Sequence, residues 1–79
     1  MEIKILGTGC PNCKSLEKVT REAVESLGIN ADISKVEDIM KIMEYGVMRT
    51  PGLVVNNKVV LSGKVPDKAE IQQILSGVL

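Results

Sequence analysis

The chain has 79 residues, fewer than the roughly 100–200 of an average domain, so one domain over residues 1–79 is expected, with a thin core that is aliphatic because Tyr45 is the sole aromatic. Ten Lys and Arg cancel ten Asp and Glu without a basic block, which excludes the positive footprint of a nucleic-acid binder. Histidine is absent, which removes His-assisted nucleophiles, His general bases and His-ligated metals.

Ile3, Ile5 and Leu6 form a short apolar strand that Gly7-Thr8-Gly9 ends. Cys10-Pro11-Asn12-Cys13 then opens a helix. Leu16, Val19, Ala23, Val24 and Leu27 recur at three- and four-residue steps and define its apolar face. Glu17, Lys18, Arg21, Glu22 and Glu25 form a solvated opposite face, with Glu17 and Arg21 spaced for a surface pair. Gly28 stands where a helix C-cap glycine belongs. Ile29, Ala31 and Ile33 alternate with Asn30, Asp32 and Ser34, as in a half-buried strand. Ser34 and Glu37 have the spacing of a capping box ahead of a second helix, which Gly46 stops. In that helix Met40 and Met43, beside Ile39 and Ile42, are assigned to the core, and Tyr45 to half-buried packing.

Leu53-Val54-Val55 and Val59-Val60-Leu61 are β-prone, and Asn56-Asn57-Lys58 between them suits a tight hairpin with a left-handed Asn. Pro66-Asp67 starts a last helix whose inner face is Ala69, Ile71, Ile74, Leu75 and Val78. The order is β-α-β-α-β-β-α. The first helix is long enough to cross over, so strands one and two are parallel, and the last two strands form an antiparallel hairpin. The fold class is α/β: a four-stranded mixed sheet flanked by three helices.

No apolar run approaches the ~20 residues that span a bilayer, and the N-terminus lacks a leader pattern, so no membrane partner and a cytoplasmic location are expected. In a reducing compartment a Cys pair is more often catalytic or metal-binding than a permanent staple. Cys10-Pro11-Asn12-Cys13 lies where a strand gives way to a helix. The unpaired amides and positive macrodipole of a helix N-terminus favour a thiolate at Cys10, while Cys13, one turn in, is more shielded. Two-step exchange follows: Cys10 attacks a disulfide, and Cys13 resolves the mixed disulfide. Pro11 suits the first helical position, and Asn12 acts as a spacer. Two buried small hydrophobes, a structural disulfide and a metal site remain as alternatives. Thr50-Pro51 before a β run is either a trans strand start or a cis turn.

These three features, the Cys pair after strand one, Thr50-Pro51 before strand three and the element order, resemble the thioredoxin-like superfamily. More narrowly, Gly7-Thr8-Gly9-Cys10-Pro11-Asn12-Cys13, Thr50-Pro51-Gly52-Leu53-Val54-Val55 and Ser62-Gly63 resemble the small redox-active disulfide proteins of bacteria and archaea. The resemblance covers essentially the whole chain. It implies an attacking Cys10, a resolving Cys13, a cis Pro51 facing the disulfide and a Thr50 whose backbone pairs with a substrate strand. It also implies that Gly63, Gly9, Pro11 and Asn12 border the substrate. The implied activity is reduction of protein disulfides by a monomer that needs no cofactor or metal and is recharged by a thioredoxin reductase-type electron donor. Gly9 departs from the pattern, standing where thioredoxins carry Trp, no glutathione-binding set accompanies Thr50, and the buried acid that thioredoxins keep near the resolving Cys has no counterpart at the end of strand two, which leaves deprotonation of Cys13 to water or a substrate group.

The rival class is a copper carrier holding Cu(I) on the same two thiolates, and a third reading is a non-enzymatic redox switch. Copper chaperones run β-α-β-β-α-β, and their usual Met two residues before the first Cys is Thr8 here. Lys4 is expected to face solvent from strand one, Arg49 to be a solvated loop residue, and Met48 to lie beside the groove, in core or in contact.

Overall fold

The computed structural model describes residues 1–9, 11–47 and 49–78; the expectations for Cys10, Met48 and the side chain of Val78 lie outside them. Among the described residues the order is β1 (Glu2–Leu6), α1 (Pro11–Leu27), β2 (Asp32–Val36), α2 (Ile39–Glu44), β3 (Gly52–Val55), β4 (Lys58–Ser62) and α3 (Lys68–Val78). The strands lie in the order β2-β1-β3-β4. β1 and β2 run parallel, whereas β3 is antiparallel to both its neighbours, β1 and β4. This is the mixed sheet that the crossover length and the hairpin spacing require.

Alternation along β1 and β3 sorts side chains to two faces. Ile3, Ile5, Leu53 and Val55 meet Leu16, Ala23 and Val24 of α1 and Ile71 and Leu75 of α3. Leu6 and Val54 point the other way, towards Ile42 of α2 and Val47, with Val36 and Tyr45 at the margin. β3 is buried along its whole length because it has a strand on each side and helices over both faces. Asn56 and Asn57 both adopt left-handed backbone (φ 50° and 67°), so the hairpin loop is these two residues and Lys58 already belongs to β4.

Several expectations need correction. β2 lies further along the chain than the alternation of Ile29, Ala31 and Ile33 suggests, because pairing with β1 runs from Glu2↔Asp32 to Leu6↔Val36. Ser34 is therefore in a strand, and Asp38 caps α2, its carboxylate accepting from the Met40 N–H at 2.9 Å. Asp67 plays the same part for α3, accepting from the Glu70 N–H, so Pro66 precedes the helix. Ala69 is exposed and Ile74 half-buried, leaving Ile71 and Leu75 as the buried positions described on α3. Met40 and Met43 are not core: they and Ile39 are exposed, and Ile42 alone of α2 is buried. A six-residue helix lying on one sheet face can bury only one side, and Ile42 takes it.

Candidate active site

One end of the sheet gathers the predicted site residues that the structure describes. Leu6 ends β1 opposite Gly52, the first residue of β3, and Gly52 in turn pairs with Ser62, the last residue of β4. The segment Gly7–Gly9 leading into α1, the Thr50–Pro51 dipeptide and Gly63 therefore leave the sheet at the same end. Gly9, Pro11, Asn12, Thr50 and Gly63 are exposed there, while Cys13 and Pro51 are buried.

α1 starts at Pro11, whose missing N–H costs nothing in a first turn. Its first turn holds no acidic residue, so the positive end of the helix is not neutralised from within. Gly9 has φ +86°, a backbone state that strains side-chain-bearing residues, and this accounts for glycine in place of Trp. Cys13 is 6% exposed and is disulfide-bonded.

The Thr50–Pro51 peptide bond is cis. The Pro51 carbonyl accepts from the Gly63 N–H at 2.8 Å, which ties the turn to the end of β4. Gly63 sits at φ +75°, and a Cβ there would lie 3.0 Å from the Cβ of Arg49. Arg49 is exposed as expected, with its stem laid against Gly63. Thr50 also borders a groove of about 290 Å³ lined by Ile39, Ile42, Met43 and Val47, with no charged side chain among the described residues of its lining.

Sequence reasoning missed two residues. Gly7 is one: a Cβ built on it would overlap Cys13 Sγ and stand 3.0 Å from Cys13 Cβ. Its N–H donates to the Val36 carbonyl at 3.0 Å, holding the exit of β1 to β2. The signal available was a glycine at the end of a strand, where another part of the chain approaches closely.

Glu17 is the other. Its side chain is only 17% exposed, because it reaches from α1 towards β2 instead of into solvent. Oε2 accepts from Arg21 Nε and Nη2 at 3.1 and 3.0 Å, and Oε1 pairs with Lys35 Nζ at 3.4 Å. The hydrogen bonds from Arg21, helped by the charge of Lys35, outweigh desolvation and hold the carboxyl below its ordinary pKa. Glu17, Lys35 and Cys13 line one cavity of about 290 Å³ together with Gly7, Gly9 and Glu37.

Lys4 does not join this site, nor is it a free solvent-facing strand residue. Its side chain is 26% exposed; Nζ donates to Tyr45 Oη at 3.0 Å and pairs with Glu2 at 3.2 Å. Those contacts, Tyr45 first, raise its pKa. Among the described residues no group of three His, Cys, Asp or Glu side chains is placed to hold a metal, and no helix is long and apolar enough to cross a membrane.

This fold, with a buried cysteine in the first turn of α1 and a cis-proline turn at the same end of the sheet, is that of a thiol–disulfide exchange protein. A family model described as a thioredoxin domain matches residues 1–76. A thioredoxin of Methanothermobacter thermautotrophicus is 47% identical over 76 residues, covering 96% of this chain and 99% of that protein. A thioredoxin of Methanocaldococcus jannaschii is 43% identical over 77 residues, covering 98% and 88%. A probable thioredoxin of Archaeoglobus fulgidus is 32% identical over 69 residues, covering 84% and 75%. The chain belongs to the thioredoxin family, and it is a disulfide oxidoreductase.

Proposed function

We propose that Cys10 and Cys13 form the redox couple through which this chain reduces protein disulfides. The observation that carries the reading is the disulfide-bonded, buried Cys13 in the first turn of a helix whose start is free of acidic residues. Cys10 is the other cysteine of the sequence and immediately precedes that helix. Helix amides and the positive end of the dipole favour its thiolate.

Two displacements follow. The Cys10 thiolate attacks one sulfur of a substrate disulfide, that S–S bond breaks, and the first substrate thiolate leaves. Cys13 then attacks the Cys10 sulfur, and the second substrate thiolate leaves. Two electrons have passed to the substrate and the protein holds a Cys10–Cys13 disulfide. A flavin thioredoxin reductase or similar donor returns them. Thr50, ahead of Pro51, offers its backbone to an extended substrate segment, with Gly9, Pro11, Asn12 and Gly63 bordering it. The protein works as a one-domain monomer over residues 1–79, in the cytoplasm.

The test is a redox titration in graded dithiol buffers, quenched by alkylation and counted by mass. One reversible two-electron transition near ~−270 mV is the result expected of a thioredoxin-type reductant. Cys10→Ser abolishes turnover, and Cys13→Ser accumulates a mixed disulfide. Absence of a reversible intramolecular disulfide, or full turnover by Cys13→Ser without added thiol, overturns the reading.

A further inference from the structure

The second displacement has a requirement that the sequence left unmet: the Cys13 thiol must lose a proton at a position almost closed to bulk water. The cavity behind Cys13 answers it. Its volume of about 290 Å³ has room for several waters at roughly 30 Å³ each. Two carboxylates line it, and they are not equivalent. Glu37 is exposed beyond β2. Glu17 stands four residues after Cys13 on α1, a spacing that puts the two side chains on one helix face, and is largely covered.

We propose that Glu17 accepts the proton of the Cys13 thiol, through water in the cavity they share, as Cys13 attacks the mixed disulfide. The S–H bond of Cys13 breaks and the Cys13–Cys10 bond forms. The bond from Cys10 to the substrate sulfur breaks, with its electron pair leaving on the substrate thiolate. The proton passes to Glu17 and from there to bulk water. The charged groups around Glu17 keep its carboxylate available as an acceptor, although its lowered pKa makes it a weaker base. Arg21 on its own helix and Lys35 on β2 keep it ionised and offset its repulsion of a neighbouring thiolate, while Lys14 and Glu37 complete the charges lining the cavity.

The inference rests on the Cys10–Cys13 reading, and its test separates the two. The fully reduced chain is mixed with an aryl disulfide whose thiolate is coloured, in a stopped-flow instrument. The first equivalent of colour reports attack by Cys10 and the second reports attack by Cys13. In the unaltered protein the second phase should stay nearly constant through neutral pH. General-base catalysis is worth on the order of 100-fold, so Glu17→Gln should slow the second phase by at least about tenfold at neutral pH. Below the thiol pKa that phase should also become proportional to hydroxide. The first phase should stay unchanged, which also shows that the variant is folded, and Glu22→Gln, on the exposed face of α1 outside the cavity, should leave both phases as they were. Lys35→Met keeps the carboxylate but removes a cation, and should move the acid limb of the second phase to higher pH. A second phase in Glu17→Gln with the unaltered rate and pH profile overturns the inference. So does a faster one, which would mark Glu17 as a charge that merely holds the thiol protonated. An unmoved acid limb in Lys35→Met overturns it as well. Release of only one equivalent of colour by the unaltered protein would instead sink the two-cysteine reading.

Discussion

Replacing Gly7 by alanine places a methyl carbon where the Cys13 sulfur already stands. Neither side can yield easily. Gly7 is tied by its N–H to the Val36 carbonyl, and Cys13 is anchored in the first turn of a 17-residue helix packed on the sheet. Overpacking of this kind costs about 1–3 kcal/mol. Loss of chain freedom in the unfolded state returns about 0.4–1 kcal/mol. A net loss of about 1–2 kcal/mol lowers the melting temperature of a domain this size by roughly 4–16 °C. The assay is thermal unfolding of the oxidised protein followed by circular dichroism. Gly77→Ala is the opposite case, since nothing lies within 4 Å of its added Cβ in α3, and it should gain about 0.5–1 kcal/mol. In a Cys13→Ala background the sulfur is gone and the Gly7→Ala penalty should shrink, the mark of two groups in contact. A Gly7→Ala protein melting at or above the parent, or an equal penalty in both backgrounds, would refute the close approach.

Four further outcomes are expected. Glu17 has a pKa lowered by folding, so its stabilisation is present above the ordinary value of 4.5 and is lost as pH falls through the depressed one; Glu17→Gln should flatten the stability–pH curve in that acid window, read by acid unfolding at low salt. Lys4 is the reverse case: its contribution is full below 10.5 and lost as pH rises through the raised value, and Tyr45→Phe should bring the lysine back towards 10.5 in an NMR titration. Ile42→Ala should cost about 2–5 kcal/mol by denaturant unfolding, because it empties the centre of the smaller cluster. Met43→Gln, at a residue 63% exposed, should stay within about 0.5 kcal/mol.

The strand–helix junction, the long first helix and the Asn-Asn hairpin were legible because each is a local pattern with one dominant physical cause. A glycine-bounded Cys pair announces a helix start, Leu16 through Val24 mark a face, and two Asn residues tolerate left-handed backbone. The rest depended on partners distant in the sequence. Met40 and Met43 have helical spacing, yet spacing cannot say that α2 is six residues long with only Ile42 turned to the sheet. Glu17 reads as surface until β2 brings Lys35 beside it. Gly7 reads as a strand terminator, because nothing nearby in sequence tells that the chain returns to it with Cys13.

The two layers over the sheet are unequal, and the chain's sole chromophoric side chain belongs to the slighter one. α1 and α3 cover one face with 17 and 11 residues; α2 covers the other with six, and Tyr45 sits at its end, hydrogen-bonded to Lys4. Ultraviolet emission from this protein therefore watches the join of α2 to β1, while the layer bearing Cys13 is optically dark. Segments with few buried apolar groups open first, so a tyrosine unfolding curve should run ahead of the helical signal. Heating would then be seen to loosen the wall of the Thr50 groove while the cysteine-bearing helix is still in place.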